Sequence, residues 1–263
     1  MMHLFSILHI ILIVVMFVSA IVLFLYFNKD ELDEKLNVLK ILSIVNLFLM
    51  IIRVFWIMID KNYDYNLFDE LIINPIDVIC ILAFIVYNLR KYQYISYLYY
   101  LGIIFSVLMI LFPSEKYFGN IFAFRNLLYY TNLYLNLIIC IFTASTYDVE
   151  IKDIFSSIKD FFCFVVICFC VNSLLGILTI HPTANYFYVS NPGNNMLFNL
   201  IYQLVPIGFV YYLVIILAIW ILLYAQYGIH SLLAKPIQKL KVYLNKDIKW
   251  YVKSGSIIKK EIE

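Results

Sequence analysis

Long apolar stretches alternate with short polar segments along the whole chain. A membrane-spanning helix needs about 20 apolar residues. Seven stretches reach that length, and they cover 4–27, 37–59, 70–89, 92–112, 121–145, 154–180 and 200–224. Charged residues, Pro, Gly or Asn separate them, and no connection forms a hydrophilic domain. The pattern therefore predicts an all-α, polytopic membrane helical bundle with about seven transmembrane helices.

The first and third stretches differ from the others. The first has no basic segment before it, and its length exceeds the apolar part of a signal peptide, which is about 7–15 residues. We therefore expect a retained span. The third is interrupted by Asn74, Pro75 and Asp77. Since a proline near the end of a span begins or kinks a helix, we expect an irregular outer end there.

The composition supports a membrane protein and excludes other classes. Hydrophobic residues make up 64% of the chain and charged residues 14%, with a mean hydropathy of +0.91. A soluble domain has about 45–50% hydrophobic residues and about 25% charged residues. A soluble fold with the composition of this chain would expose a large apolar surface. A water-soluble enzyme, a nucleic-acid-binding protein and a disordered protein are excluded. The five cysteines form no disulfide or metal-binding pattern, so we expect no cofactor and no metal.

The positions of the basic residues predict an orientation. Cytoplasmic segments of membrane proteins carry an excess of Lys and Arg. If the N-terminus is outside, 14 of the 19 basic residues lie inside, including eight tail lysines, and two lie within the second stretch. The outer side then has only Lys61, Lys116 and Arg125. We therefore expect the N-terminus outside, the C-terminus inside, and a multi-pass protein of the cell membrane.

The last 33 residues differ from the rest and divide the chain into residues 1–230, the membrane bundle, and residues 231–263, a basic cytoplasmic tail. Apolar residues recur at steps of three and four, as on one face of a helix, at Ile237, Leu240, Leu244, Ile248 and Tyr251. We interpret the tail as an amphipathic helix on the anionic lipids of the inner leaflet. The alternative is a basic tail that serves only topology.

Most of the polar residues inside the apolar stretches lie at one depth, near the predicted outer side. Polar residues inside a bilayer are costly and are usually paired or functional. We therefore expect an outward-facing cavity, with Arg53 and Asp77 as an ion pair. The alternative is that these residues only hold helices together. The candidate ligand-binding residues are Arg53, Asn74, Asp77, Arg125, Asn132, Asn172 and Gln203.

The longest outer connection, residues 181–199, has no Lys or Arg and is rich in aromatic residues and turn signals. It is long enough to fold back over the bundle as a lid. Pro206 and Gly208 follow near the outer end of the last stretch, where we expect a local opening of the helix.

Several short motifs follow one another in a recognisable order. They are Asn74-Pro75-Ile76-Asp77-Val78-Ile79-Cys80, Leu111-Phe112-Pro113, Asn172 and Gly176, Asn185-Tyr186-Phe187-Tyr188, Asn191-Pro192, Pro206, and Tyr211-Tyr212. Over roughly residues 40–225 this order resembles the YwaF-like bacterial integral membrane family, which is related to the transmembrane-protein-164 acyltransferases of eukaryotes.

The resemblance implies a multi-helix fold and lipid acyl transfer, in which a thiolate attacks an ester while a base takes a proton. The relatives use a nucleophile in the third span and a histidine in a later span, and if this chain is such an enzyme we expect Cys80 as the nucleophile and His9 or His181 as the base. The chain departs from the family pattern, because the family's cysteine falls at Ile79 and its later histidine falls near Asn132. A shift of one residue turns a helical side chain by about 100°. We therefore expect a degenerate member with an incomplete Cys/His pair.

Three functions remain open from the sequence. The first is lipid acyl transfer or hydrolysis at the outward-facing cavity, with Arg53 or Arg125 holding a phosphate. The second is a membrane-embedded subunit that binds or transports a small polar ligand. The third is a non-catalytic membrane assembly protein. In each case we expect membrane lipids as partners and no nucleic acid, and the sequence names no protein partner.

Overall fold

The computed structural model describes residues 4–59, 74–113, 117, 119–147, 150–180, 184–193, 195–244, 248–253 and 256–261, with side chains as far as Leu232. Its long helices are α1 (Ile7–Phe27), α2 (Leu32–Ile59), α3 (Pro75–Tyr87), α6 (Phe124–Thr143), α7 (Lys152–Ile177) and α9 (Gly208–Leu244). A fourth span is a composite of a 3₁₀ turn (Tyr92–Tyr94), α4 (Ile95–Tyr97), a π-helix (Leu98–Gly102) and α5 (Ile103–Leu111). A 3₁₀ turn (Tyr186–Tyr188), α8 (Met196–Leu204) and the strands β1 (Ile248–Lys253) and β2 (Ser256–Glu261) complete the described elements.

The predicted helical membrane bundle is confirmed. Among the described residues, six helices are long and apolar enough to cross a membrane: Ile7–Phe27, Leu32–Ile59, Tyr92–Leu111, Phe124–Thr143, Lys152–Ile177 and Gly208–Leu232. The third predicted span is described only from residue 74, where the 13-residue α3 begins. The total of seven spans and the orientation stay predictions.

The last predicted span, 200–224, is interrupted instead of continuous. Helix α8 ends at Leu204 and α9 begins at Gly208. Pro206 lies in this break and lacks the backbone N–H that would continue the helix. The expectation of a local opening at Pro206 and Gly208 is therefore confirmed.

The tail differs from the predicted amphipathic helix. Helix α9 continues without interruption to Leu244, and the segment that was expected to complete the helical face forms β1, antiparallel to β2. The prediction of a helix through Ile248 and Tyr251 is wrong. The physical reason is that the β1 sequence Ile-Lys-Trp-Tyr-Val-Lys is rich in the β-branched and aromatic residues that favour strands. Binding of the tail to anionic lipids stays a prediction.

Helix α6 lies at the centre of the bundle and α1 at its edge. In the most apolar 18-residue segment of each helix, 72% of the residues are buried for α6 and 17% for α1. The fourth span packs closely on α6, since a Cβ built on Gly102 would lie 2.5 Å from Sγ of Cys140. The π-helix that ends at Gly102 thus brings the backbone of this span against α6.

The C-terminal ends of α2 and α5 meet the N-terminal ends of α3 and α6. Residues from all four of these ends line one cavity. We call this end of the bundle the cavity end. It is the end at which α1 begins, because the His9 side chain contacts the carbonyl oxygen of Ile110 near the end of α5. The predicted orientation would place it outside.

Candidate functional site

The cavity end holds a small cavity of about 40 Å³ that is partly open to the surface and is lined by both polar and apolar groups. Its lining residues come from α2, from the start of α3, from α5 and α6, and from two connections. They are Arg53, Asn74, Pro75, Ile76, Met109, Tyr117, Tyr129 and Tyr188. Since one water molecule needs about 10–15 Å³ of such space, the cavity in this structure has room for only a few waters.

The charged group of the cavity is a buried ion pair. The Arg53 guanidinium donates through Nη2 to Oδ1 of Asp77. Its Nη1 donates to the Tyr117 hydroxyl at 3.3 Å. Arg53 is 2% exposed and Asp77 is 1% exposed. The ion pair expected from the matched depths of the two residues is present, and Asp77 fixes the guanidinium at the cavity wall.

Aromatic rings form the wall beside the guanidinium. Tyr117 and Tyr129 stack with their ring centroids 3.7 Å apart and an interplanar angle of 14°. The Arg125 guanidinium lies over the Tyr117 ring, 5.9 Å from its centroid, in the range of a cation–π contact. The wall thus combines flat apolar surface with hydroxyl groups, and Arg125 supports it from behind as a half-buried residue.

The start of α3 follows from its sequence. Pro75 takes the first helical position, where its missing N–H costs no hydrogen bond and its φ suits a helix. Asn74 precedes it with an extended backbone (φ −79°, ψ 149°). Asp77 lies in the first turn, where the positive end of the helix dipole stabilises a carboxylate. The motif therefore places Asn74 at the cavity and Asp77 against Arg53.

Three buried asparagines hold this turn in place. Asn46 of α2 donates to Oδ1 of Asn136 at 2.6 Å, and Asn136 donates to the Ile76 carbonyl oxygen at 2.9 Å. Asn132 donates to the carbonyl and side-chain oxygens of Asn46, both at 3.0 Å. All three side chains are fully buried. The network links α2, α3 and α6 directly beneath the cavity lining.

The model of the TMEM164 family matches residues 4–224, which include every residue that lines the cavity. The chain belongs to the TMEM164 family. No curated protein and no solved structure matches it significantly. The family resemblance is thus confirmed over a longer range than its motifs covered, while the YwaF-like branch stays a prediction.

The acyl-transfer residues expected from the TMEM164 relationship are not brought together among the described residues. Cys80 lies one turn after Asp77 on α3, is fully buried and does not line the cavity. His9 lies on α1, where the Phe5 N–H donates to Nδ1 and Nε2 donates to the Ile110 carbonyl oxygen, both at 3.1 Å. His181 lies outside the described residues. The two hydrogen bonds of His9 give it a packing role between α1 and α5.

The other candidate ligand-binding residues lie apart from the cavity wall. Asn132 belongs to the asparagine network, and Gln203 is exposed on α8. Asn172 of α7 binds the backbone of Tyr186 in the connection between α7 and α8. Of the seven candidates, only Arg53 and Asn74 line the cavity, and Asp77 holds Arg53. No group of three or more His, Cys, Asp or Glu in the described part of the chain is placed to hold a metal ion.

Sequence reasoning did not select the tyrosines of the wall or two members of the asparagine network. Tyrosine is frequent in this chain, with 23 residues, so no single tyrosine stands out. Asn46 had a usable signal, because it lies seven residues before Arg53 and therefore on the same face of α2. Asn136 follows Asn132 by four residues, which likewise places both on one face of α6.

Proposed function

We propose that this TMEM164-family membrane protein binds the headgroup of a zwitterionic phospholipid in the cavity. The observation that carries the proposal is the buried Arg53 guanidinium at the cavity wall, held in place by Asp77. A guanidinium donates in a fork geometry that suits phosphate oxygens. Phosphate groups of lipids are the anions that a membrane-embedded cavity meets at highest concentration.

The charge of the site favours a zwitterionic headgroup over an anionic one. Of the charged residues at the cavity, the buried Arg53 and Asp77 together are neutral, while Arg125 lies beyond the Tyr117 ring, is only half-buried and does not line the cavity. Burying an uncompensated charge in a low-dielectric region is costly. A phosphoethanolamine or phosphocholine group carries a phosphate and an ammonium, so its entry leaves the site neutral overall. The Tyr188 ring at the cavity, which is only partly buried, offers an aromatic surface to an ammonium group.

Exposed apolar residues around the bundle support lipid as the source of the ligand. Ile7, Phe55 and Ile59 near the cavity end of α1 and α2 are 79%, 59% and 72% exposed. Such an exposed apolar surface is expected where a membrane protein faces acyl chains. A lipid in the surrounding bilayer thus lies beside the cavity and reaches it by a short movement of its headgroup.

Native mass spectrometry of the detergent-purified protein tests this proposal. We expect the wild-type protein to retain one molecule of added phosphatidylethanolamine or phosphatidylcholine in preference to phosphatidylglycerol. The double variant Arg53→Met/Asp77→Leu, which removes both charges together, should lose this retention. Asn88→Ala, at the opposite end of α3, is the matched control and should bind as the wild type does. Equal retention by the double variant would refute headgroup binding at Arg53.

Acyl transfer is the second candidate, and one observation favours it. Cys80 lies one helical turn after Asp77 on α3, the helix whose first turn holds the ion pair beside the cavity. In this reaction the Cys80 thiolate would attack the ester carbonyl of a donor lipid and form a thioester. The leaving lysolipid alkoxide would take up the proton that the Cys80 thiol lost. The hydroxyl of a second lysolipid would then attack the thioester, take the acyl group and return its own proton to the Cys80 sulfur, which regenerates the thiol.

A variant of Cys80 distinguishes headgroup binding from acyl transfer. A fluorescent phosphatidylcholine donor and a lysophosphatidylethanolamine acceptor, incubated with the protein in vesicles, report acyl transfer by the appearance of labelled phosphatidylethanolamine. If the protein only binds headgroups, no product forms and Cys80→Ala retains lipid as the wild type does. If product forms and Cys80→Ala abolishes it, acyl transfer is the function and the cavity serves it.

A further inference from the structure

We propose that Tyr188 sets the size of the headgroup that the cavity admits, and that Asn172 and Phe187 are positioning residues that hold Tyr188 at the cavity wall. This inference rests on the proposed headgroup site and extends it to the choice between phospholipids. Tyr188 lies in the outer connection between α7 and α8, yet it lines the same cavity as Arg53.

The backbone that carries Tyr188 has an unfavourable conformation. Phe187 and Tyr188 both have a φ of 58°, in the left-handed region. This region is rare for residues other than Gly, Asn and Asp, and two bulky aromatic residues in succession there are exceptional. Such a conformation persists only where surrounding contacts enforce it, and it is found preferentially at functional positions.

Asn172 supplies one of these contacts by fixing the residue before the strained pair. Its Oδ1 accepts from the Tyr186 N–H at 2.9 Å, and its Nδ2 donates to the Tyr186 carbonyl oxygen at 3.3 Å. The same Nδ2 lies 3.2 Å from the Ser190 hydroxyl, to which it also donates. The buried side chain of Asn172 thus binds the connection on both sides of Phe187 and Tyr188.

Phe187 supplies the second contact. Its ring is 4% exposed and lies among three aromatic rings, with centroid distances of 5.0 Å to Phe164, 5.8 Å to Phe105 and 6.2 Å to Phe161. Burial of an aromatic ring in such a cluster is strongly favourable. Because Phe187 points into this cluster, the next residue along the strained backbone is directed to the cavity.

The Tyr188 ring is also blocked on its far side. It packs against Phe198, with centroids 5.2 Å apart, and a Cβ built on Gly193 would lie 3.1 Å from it. Gly193 has a φ of +54°, so glycine suits both the backbone and the close approach. The ring has no room to move away from the cavity without displacing this neighbour.

Tyr188, held by these contacts, is one of the residues that confine the cavity to about 40 Å³. A headgroup needs more space, so the Tyr188 ring has to turn aside, and the space it can yield limits the ligand. A phosphocholine group has three more methyl groups than phosphoethanolamine. In a fitted pocket, one additional methylene changes affinity about 10- to 200-fold. The wild-type protein should therefore prefer phosphatidylethanolamine by tenfold or more.

Competition between the two lipids tests the inference. Native mass spectrometry with equimolar phosphatidylethanolamine and phosphatidylcholine of identical acyl chains gives the selectivity ratio directly. We expect Tyr188→Ala to lower the ratio to about threefold or less, and Tyr188→Phe, which keeps the ring, to retain the wild-type ratio. Asn172→Ala should lower the ratio although it touches no ligand. Asn88→Ala, which loses a hydrogen bond at the other end of the bundle, should leave it unchanged.

The outcomes of this competition distinguish failure of the proposed role of Tyr188 from failure of the proposed headgroup site at Arg53. If the wild-type protein binds lipid and Tyr188→Ala keeps its selectivity, the role of Tyr188 is refuted and the Arg53 site stands. If the wild-type protein retains neither lipid, the proposed function fails and this inference fails with it. If Tyr188→Ala does not fold, Tyr188→Leu replaces it, since a smaller apolar residue keeps the contact with Phe198 while still widening the cavity.

Discussion

The buried ion pair gives the sharpest prediction about stability. Arg53→Met leaves the Asp77 carboxylate 1% exposed and without its guanidinium partner. Two unit charges about 4 Å apart attract by about 4 kcal/mol at an effective dielectric constant of about 20. Breaking a buried pair from one side costs about 3–5 kcal/mol. We therefore expect Arg53→Met to lower the free energy of unfolding by about 3–5 kcal/mol.

The double variant Arg53→Met/Asp77→Leu should behave differently from either single variant. Replacing both members of a buried pair by apolar residues of similar size is often neutral or stabilising, by about 1–4 kcal/mol. We therefore expect the double variant to recover most of the stability that Arg53→Met loses. The coupling energy from the double-mutant cycle should be at least about 2 kcal/mol.

Reversible unfolding in mixed dodecylmaltoside and SDS micelles, followed by circular dichroism, measures these free energies. Asn88→Ala serves as the control for a lost hydrogen bond elsewhere and should cost about 1 kcal/mol. Additive losses from Arg53→Met and Asp77→Leu would refute the reasoning, because independent sites do not share a buried charge pair. A loss below about 1 kcal/mol for Arg53→Met would refute it equally, since exposed pairs behave in that way.

Three further predictions follow from the packing of the bundle. Gly102→Ala should lower the free energy of unfolding by about 1–3 kcal/mol, because its Cβ would lie 2.5 Å from Cys140 Sγ. Adding Cys140→Ala in the same chain should restore most of that loss in the same unfolding assay. Asn136→Leu leaves buried amide groups of the network unpaired and should cost about 1–2 kcal/mol; unchanged stability would contradict the network. A membrane-permeant maleimide should label exposed Cys163 well before fully buried Cys80, as peptide mass spectrometry would show, and rapid labelling of Cys80 would contradict its burial.

The helical bundle was predictable because every spanning helix must satisfy its own backbone hydrogen bonds in lipid. Apolar length alone therefore located α1, α2, α6 and α7 to within a few residues. Apolar length did not locate the break before α9, which Pro206 and Gly208 predicted instead. The tail was harder, because steps of three and four describe one helical face but do not weigh the strand preference of Ile248–Lys253.

The sequence predicted the ion pair of the candidate site but not the positions of its asparagines, and the difference has a physical cause. Arg53 and Asp77 have opposite charge and equal depth, and a buried charge needs a partner, so their pairing followed from the sequence. Asparagine gives no such constraint, because it donates and accepts and so bonds to almost any polar group. Asn132 and Asn172 were therefore expected at the cavity, whereas Asn132 joins a helix network and Asn172 holds a loop.

The contribution of Tyr188 could not be foreseen from the sequence. Its place at the cavity depends on the left-handed backbone conformation of two successive residues, Phe187 and Tyr188. Two adjacent aromatic residues in a sequence do not indicate this conformation. The Asn172 side chain enforces it from 14 residues away along the chain. A contact of this kind between a helix and a loop becomes visible only when the chain is folded.

Solid-state NMR measures the central claim, that the Arg53 guanidinium binds a lipid phosphate, most directly. The chain has three arginines, so Arg90→Lys/Arg125→Lys leaves Arg53 as the only site of ¹⁵N-arginine labelling. In phosphatidylethanolamine bilayers, ³¹P–¹⁵N dipolar recoupling should detect a phosphorus within hydrogen-bonding contact of a guanidinium nitrogen. Because Arg53 is 2% exposed, bulk lipid phosphates cannot give this signal unless a headgroup enters the cavity. Absence of the coupling in folded protein would contradict headgroup binding.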